Sequence, residues 1–166
     1  MIAPLSLSNI ATVAFAIVCL WTVAAQARGK VVKLWRLAVP PCFAAVQAFV
    51  LLAGVFDATL AHDAEWLAAA LAGAVLGRTR GWTAAVEVDR VQDLVRQRRA
   101  VDALLAGVVL LLLALVDSIG AALLDPVIGP QHVAAGAAFC AGYLGARALA
   151  IAVRAMYLPH VELRAA

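Results

Sequence analysis

The sequence predicts an all-α integral membrane protein that crosses the bilayer five times, and three observations predict it. First, 66% of the 166 residues are hydrophobic and only 14% are charged, whereas soluble domains are about 45 to 50% apolar and about 25% charged. Second, the apolar residues form long blocks with almost no ionisable side chains, as a bilayer requires of segments that cross it. Third, basic residues gather between alternate blocks, as cytoplasmic loops do.

The third of the five predicted spans is the shortest. Its apolar run at 66–77 would reach only about 18 Å at helical rise, so we extend the span outward to His62. The alternative is a re-entrant segment, but it would place the basic residues that follow on the same side as an acidic loop. The spans are predicted at 10–27, 37–56, 62–77, 101–124 and 132–153, with a cytoplasmic insertion at 78–100.

The distribution of charge predicts the orientation. All but one of the 13 Lys and Arg residues fall in segments that this arrangement places inside, and the loop at 57–65 is acidic. We therefore expect an outside N-terminus, a cytoplasmic C-terminus and a bacterial inner membrane. The first block is followed, not preceded, by its positive residues, so it is interpreted as an uncleaved helix. The net charge of +3 reflects orientation, and no nucleic-acid partner is expected. The basic face of the insertion comprises Arg78, Arg80, Arg96, Arg98 and Arg99.

The insertion allows two structures. The stretch TAAVEV at 83–88 partly alternates between apolar and polar residues, and LVRQRR follows after a polar interval, which fits two short strands joined by a turn. Alternatively, Val88, Val91, Leu94 and Val95 share one face of an amphipathic helix. Periodicity does not separate the two.

Several motifs resemble those of the CcdC-like family, which comprises small bacterial multi-pass membrane proteins of unknown function. They are a span ending in glycine, the element GRTRG at 77–81, the polar segment VEVD and a valine-arginine return into another span. The upstream KLWRL leading into a proline-bearing span is similar too. The resemblance covers roughly 28–124 and implies an architecture, without an established activity. In that family the hairpin turn usually carries glycine, whereas Val91, Gln92 and Asp93 stand there in this chain.

Two ionisable residues fall inside predicted spans, Asp117 and Arg147. Such a placement costs roughly 2.5 to 3.5 kcal/mol by insertion scales and by default suggests function. At helical rise, Asp117 lies about 24 Å from the inner end of its span and Arg147 about 9 Å, too far apart for an ion pair. Arg147 is closer in depth to Asp102, so structural pairing or snorkelling competes with a substrate or proton path. For Asp117 the alternatives are hydration or a hydrogen bond near the outer interface, and a proton or cation site opening outward.

Other chemistry finds little support in the sequence. The histidines lie at or beyond the span ends, which disfavours haem, and no nucleophile, zinc or phosphate-loop motif occurs. We therefore predict no catalytic residue, no cofactor and no metal. A gathering of acidic and histidine residues at the outer face matches no metal motif by spacing; it comprises His62, Asp63, Glu65, Asp117, Asp125 and His132.

Small residues predict close helix packing. Gly73 and Gly77 lie four apart in the third span, and the fifth span carries parallel rows of alanine and glycine that include Gly142 and Gly145, so this helix should be central. Besides the lipid bilayer, the expected partner is another membrane protein, or a second copy through helices three and five. The favoured function is a non-catalytic accessory or assembly component. The alternatives are a small oligomeric transporter or channel using Asp117 and Arg147, and a redox or metal-dependent membrane enzyme.

Overall fold

Five α-helices and three short strands make up the described chain. The structure is a computed structural model that describes residues 6–55, 60–98, 100–123 and 128–163. The helices are α1 (Leu7–Ala27), α2 (Val39–Ala53), α3 (Leu60–Thr83), α4 (Val101–Leu123) and α5 (Pro130–Ala155), and the strands are β1 (Val31–Lys33), β2 (Val86–Asp89) and β3 (Leu94–Gln97). A 3-10 turn at Leu34–Ala38 leads directly into α2.

Four helical segments are long and apolar enough to cross a membrane, which confirms the prediction of a mostly helical, multi-pass chain. They are Leu7–Ala27, Leu34–Ala53, Val101–Leu123 and Pro130–Ala155. Helix α3 is also long, at 24 residues, but acidic residues near its start and arginines near its end interrupt its apolar character. Pro40 and Pro41 lie in the first turn of α2, where a missing N–H leaves no hydrogen bond broken.

Helix α5 is the centre of the bundle, as its rows of small residues predicted. It packs against α2, α3 and α4, while α1 packs against α2 and α4. The apolar core is built largely from small side chains of α5, such as Ala134 and Ala138, together with Leu110 of α4. Short side chains let the backbones approach closely, which is the main source of attraction between helices in lipid.

Helices α3 and α5 touch through their backbones. A β-carbon at Gly73 would overlap the carbonyl oxygen of Phe139, and one at Gly77 would overlap that of Tyr143. In the opposite direction, a β-carbon at Gly142 would overlap the carbonyl oxygen of Ala70. The glycines predicted to pack closely therefore meet within the chain at Gly73, Gly77 and Gly142, whereas Gly145 faces Pro41 of α2.

The end of α3 differs from the prediction. The helix continues to Thr83 instead of stopping at Gly77, so Arg78 and Arg80 belong to it and not to the insertion. The reason is a third glycine, Gly81, whose β-carbon would lie 2.7 Å from the carbonyl oxygen of Arg147. One more turn of close packing on α5 keeps the segment helical.

A three-stranded antiparallel sheet lies at one end of the bundle, called the sheet end from here on. Its order is β1-β3-β2, with Val95 of β3 opposite Val32 on one side and Val88 on the other. Val88 and Val95 pack with Ile151 of α5 in an apolar cluster beneath the helices. The insertion is therefore a β-hairpin, and the amphipathic-helix interpretation is wrong.

An aspartate takes the left-handed position in the turn of the hairpin. Asp93 has φ +52°, a left-handed conformation that aspartate and asparagine tolerate better than other side chains. The free edge of β2 is covered by the segment that follows α5, because Val161 N–H donates to the carbonyl oxygen of Val88 at 2.9 Å. Strand β1 is the other edge of the sheet.

Candidate functional site

Arg147 lies on α5 near the sheet end, with only 5% of its surface exposed. Its Nε donates to Oδ2 of Asp102 at 2.8 Å, and its Nη2 donates to Oδ1 of the same carboxylate at 3.3 Å. Its Nη1 donates to Oε1 of Gln97 at 3.0 Å. The planar guanidinium thus makes a two-pronged, charge-assisted contact with one carboxylate and a third bond to β3.

Asp102 occupies the first turn of α4, where the helix dipole favours a negative charge. Its Oδ2 accepts a second hydrogen bond from the hydroxyl of Tyr143 at 2.6 Å. Tyr143 and Arg147 are four apart on α5, so both side chains point from one helix face towards the same carboxylate. The four residues Gln97, Asp102, Tyr143 and Arg147 form what we call the Arg147 cluster.

The Arg147 cluster joins three parts of the molecule. Gln97 ends β3, Asp102 begins α4, and the other two residues belong to α5. One positive and one negative charge balance inside it, and every donor of the guanidinium that faces Asp102 is used. The predicted pairing of Arg147 with Asp102 is confirmed. The arrangement suits a structural attachment of the sheet to the bundle. A proton path would need an ionisable group with an unoccupied donor or acceptor atom.

Asp117 lies on α4, about 22 Å from Asp102 at helical rise, and is not brought to Arg147. It is partly exposed, and within the described residues no side chain or backbone N–H donates to its carboxylate. The neighbouring Ser118 hydroxyl instead donates to the carbonyl oxygen of Ala114 at 2.7 Å. The two intramembrane ionisable residues singled out from the sequence therefore do not form one site.

The predicted basic face divides into two groups. Arg78 and Arg80 lie in the last turns of α3, whereas Arg96 and Arg98 lie on and after β3, with nitrogens 3.9 and 3.3 Å from the carboxylate of Glu87. These last two ion pairs are partly exposed, so they contribute little stability. Arg99 lies outside the described residues.

At the opposite end of the bundle, a contact joins two of the predicted polar residues. His132 Nδ1 lies 2.7 Å from Oε1 of Glu65, which joins the start of α5 to the start of α3. Asp125 lies outside the described residues. Across the part of the chain that the structure describes, no three His, Cys, Asp or Glu residues come together in a way that could hold a metal ion.

Three polar residues that make interactions between elements were missed in the sequence; Gln47 and Gln97 are buried and Tyr143 is half-buried. Gln97 and Tyr143 complete the Arg147 cluster, and Gln47 of α2 is fully buried and donates from Nε2 to the carbonyl oxygen of Leu110 at 3.1 Å. Gln47 could have been found, because an amide inside an apolar span has to bond to a neighbouring helix. Tyr143 could have been found as well, because it lies four residues before Arg147 and so shares its helix face, whereas Gln97 carried no such signal.

Asp89, the last residue of β2, connects the hairpin to the segment after α5. Its Oδ1 accepts from the N–H groups of Val91 and Gln92 at 2.9 and 3.1 Å, and its Oδ2 accepts from the N–H of Leu163 at 3.2 Å. Burial by itself raises the pKa of this carboxyl, but the three N–H groups and the nearby His160 outweigh it, so the pKa lies below its ordinary value of 3.8.

We expect this attachment to weaken in acid. A carboxylate with a lowered folded-state pKa contributes stability above its unfolded-state pKa and loses that stability as the pH falls through the folded-state value. Because the folded-state pKa of Asp89 lies below 3.8, this loss of stability occurs below pH 3.8. Asp89→Asn should mimic it at neutral pH and increase amide hydrogen exchange at Leu163 several-fold. Glu87→Gln, on the same strand, is the control and should leave exchange at Leu163 unchanged. Equal exchange in both variants would contradict the assignment.

The fold and the site define the class of protein: a mostly helical, multi-pass membrane protein with a small sheet attached to one end of its bundle. No protein-family model matches the chain, and neither a curated protein nor a solved structure is found that is similar to it. The resemblance to the CcdC-like family therefore stays a prediction.

Proposed function

We propose that the chain crosses the bacterial inner membrane five times, with its N-terminus outside and its sheet end in the cytoplasm. The observation that supports α3 as the additional span is its register with α5. Contacts pair Glu65 with His132 at one end and Gly81 with Arg147 at the other, so the two helices run parallel over about 24 Å. A helix that packs in parallel on a transmembrane helix over that length also crosses the bilayer, although the apolar run of α3 is short.

Parallel α3 and α5 also fit the alternation of spans, because the first, third and fifth of five spans run in the same direction. The basic residues of α3 then lie at the cytoplasmic end beside the sheet, in agreement with the positive-inside rule.

Labelling from either side of the membrane tests this topology. In a variant with its three cysteines replaced, we expect Ser8→Cys to react with an impermeant maleimide in intact cells, and Tyr157→Cys to react only after permeabilisation. Both positions are exposed, and an odd number of spans puts them on opposite sides. Reaction of both from the same side would mean an even number of spans and would contradict the proposal.

We further infer that the protein is a non-catalytic accessory or assembly component. The observation that carries this inference is the closed Arg147 cluster, in which a buried arginine is already bound to a carboxylate and an amide. The ionisable groups near the sheet end therefore position the sheet beneath the bundle, a role suited to presenting a fixed surface to a partner. A transporter is less well supported, because Asp117 and Arg147 lie far apart.

Native mass spectrometry of the protein, gently extracted from its own membrane, tests this function. We expect a stoichiometric protein partner, retained in Asp117→Asn and lost when the cluster is broken by Arg147→Met in a variant that still inserts. A bound metal or chromophore would support a membrane enzyme instead. Ion or solute flux in liposomes that disappears with Asp117→Asn would support the transporter.

A further inference from the structure

An open groove runs along the bundle between α3 and α4. Both helices pack on α5, but they make few contacts with one another, and the space between them is a cavity of about 490 Å³ with α5 as its floor. Leu76 of α3 forms one wall and Leu105 and Val109 of α4 the other, and all three side chains are exposed at the bundle surface. We call it the α3–α4 groove. The groove opens on the lateral surface of the bundle, which faces the lipid, so the expected ligand is a molecule of the bilayer.

The length of the groove is that of one lipid leaflet. Along α4 its lining extends from Asp102 to Leu113, about 16 Å at helical rise, which is about half of a ~30 Å hydrocarbon core. At that end of the lining Leu113 packs against Gly136 of α5, where a β-carbon would lie 3.0 Å from Leu113 Cδ1. A transmembrane helix from a partner would need a groove along the whole span, whereas an acyl chain fits half.

The polar groups of the α3–α4 groove are gathered at its sheet end. They are Arg80, Asp102 and Tyr143, while the rest of the lining is apolar. Asp102 is neutralised by Arg147, and its carboxylate is occupied by Tyr143 as well. Arg80 is exposed, and its guanidinium makes no hydrogen bond or ion pair within the described residues. The mouth of the groove therefore carries one net positive charge at the level of the headgroups.

We propose that the α3–α4 groove is a binding site for an anionic phospholipid of the adjacent leaflet. One acyl chain lies along Leu76, Leu105 and Val109, and the headgroup phosphate contacts the guanidinium of Arg80. An apolar channel of half-bilayer length with a cation at its headgroup end matches this ligand in both dimension and charge. The proposal rests on the proposed crossing of α3, which the cysteine labelling tests separately, but not on the accessory function, and it holds for either orientation in the membrane.

Retention of lipid on extraction tests the site. The protein is reconstituted into nanodiscs containing equal amounts of phosphatidylglycerol and phosphatidylcholine, released, and weighed by native mass spectrometry. We expect one phosphatidylglycerol per chain. Arg80→Gln should reduce the preference for phosphatidylglycerol about fivefold, the effect of one cation near a membrane surface. Val109→Trp fills the apolar part and should abolish retention of either lipid.

Two matched controls keep the result specific. Arg78→Gln removes an arginine from the same helix that lines a different depression, beside Trp82, and Leu112→Trp adds an indole to an exposed position of α4 outside the groove. Both should retain phosphatidylglycerol like the unaltered protein, and circular dichroism checks the fold of all four variants. Equal loss in Arg78→Gln and Arg80→Gln would mean general surface attraction and overturn the proposal. A dimer that Val109→Trp dissociates would assign the groove to a second copy and also overturn it.

Discussion

Arg147→Met is expected to lower the free energy of unfolding by about 3 kcal/mol, because it leaves the Asp102 carboxylate without its cation in a largely apolar setting. The estimate is at the lower end for a broken buried pair, since the side chain of Asp102 keeps 30% of its surface exposed, against 6% for Arg147. The variant also frees Oε1 of Gln97, so the sheet loses its bond to α5. Unfolding by denaturing detergent in mixed micelles measures the loss.

A set of variants separates the ion pair from its surroundings. Arg147→Lys keeps the charge but cannot make all three bonds, so it should recover only part of the loss. Tyr143→Phe removes one hydrogen bond and should cost about 1 kcal/mol. Asp102→Leu combined with Arg147→Met removes both charges and should be more stable than Arg147→Met alone.

The matched control is Arg78→Met, which removes an exposed arginine of α3 and should change stability by less than about 0.5 kcal/mol. If Arg147→Met unfolded at the same detergent concentration as Arg78→Met, the cluster would not be fastening the sheet to the bundle.

The Asp102–Arg147 pair could be predicted from the sequence because the depth of a residue in a span follows from the number of residues between it and the end of the span. A rise of about 1.5 Å per residue places both side chains at similar depth, and a charge within a span needs a partner. The other two members could not be found this way. Tyr143 could have been found from its position four residues before Arg147, which puts both side chains on one helix face, whereas whether Gln97 points at Arg147 depends on the register of β3.

The strands of the sheet also depend on contacts between residues that are distant in the sequence. Strand β1 has only three residues, too few for a period of two to be recognised, and it pairs with β3 more than 60 residues away. The hairpin was one of two open interpretations, because Val88 and Val95 fit a helix face as well as a strand. Pairing with β1 and packing against Ile151 decide for the strands, and neither contact is local.

Helix α3 shows how tertiary packing lengthens an element. Its apolar run stops at Gly77, and the charged residues beyond it suggested a loop. Yet Gly81 repeats the spacing of Gly73 and Gly77, and a glycine every four residues indicates that close contact with another helix continues. The continuation could have been predicted from that spacing. That the contact is with α5, in parallel, follows only from the folded chain.

Gly77→Ala should separate α3 from α5 and lower the free energy of unfolding by about 3 kcal/mol, the upper end for overpacking. The added methyl group would meet the carbonyl oxygen of Tyr143, which is backbone and cannot rotate away. In an unhindered helix the same substitution is favourable by about 1 kcal/mol, so the expected sign is opposite to that of helix propensity. Because Tyr143 also bonds to Asp102, displacement of α5 should loosen the Arg147 cluster.

Gly145→Ala on α5 is the matched control for this change. A β-carbon there meets only the β-carbon of Pro41 at 3.8 Å, an ordinary contact distance, so the variant should be as stable as the unaltered protein or more so. Both variants add one methyl group to a glycine of the same packed bundle, and they differ in whether backbone stands opposite. Equal stability of Gly77→Ala and Gly145→Ala in a detergent titration would mean that α3 does not contact α5 through its glycines. That result would also remove the support for α3 as a transmembrane span.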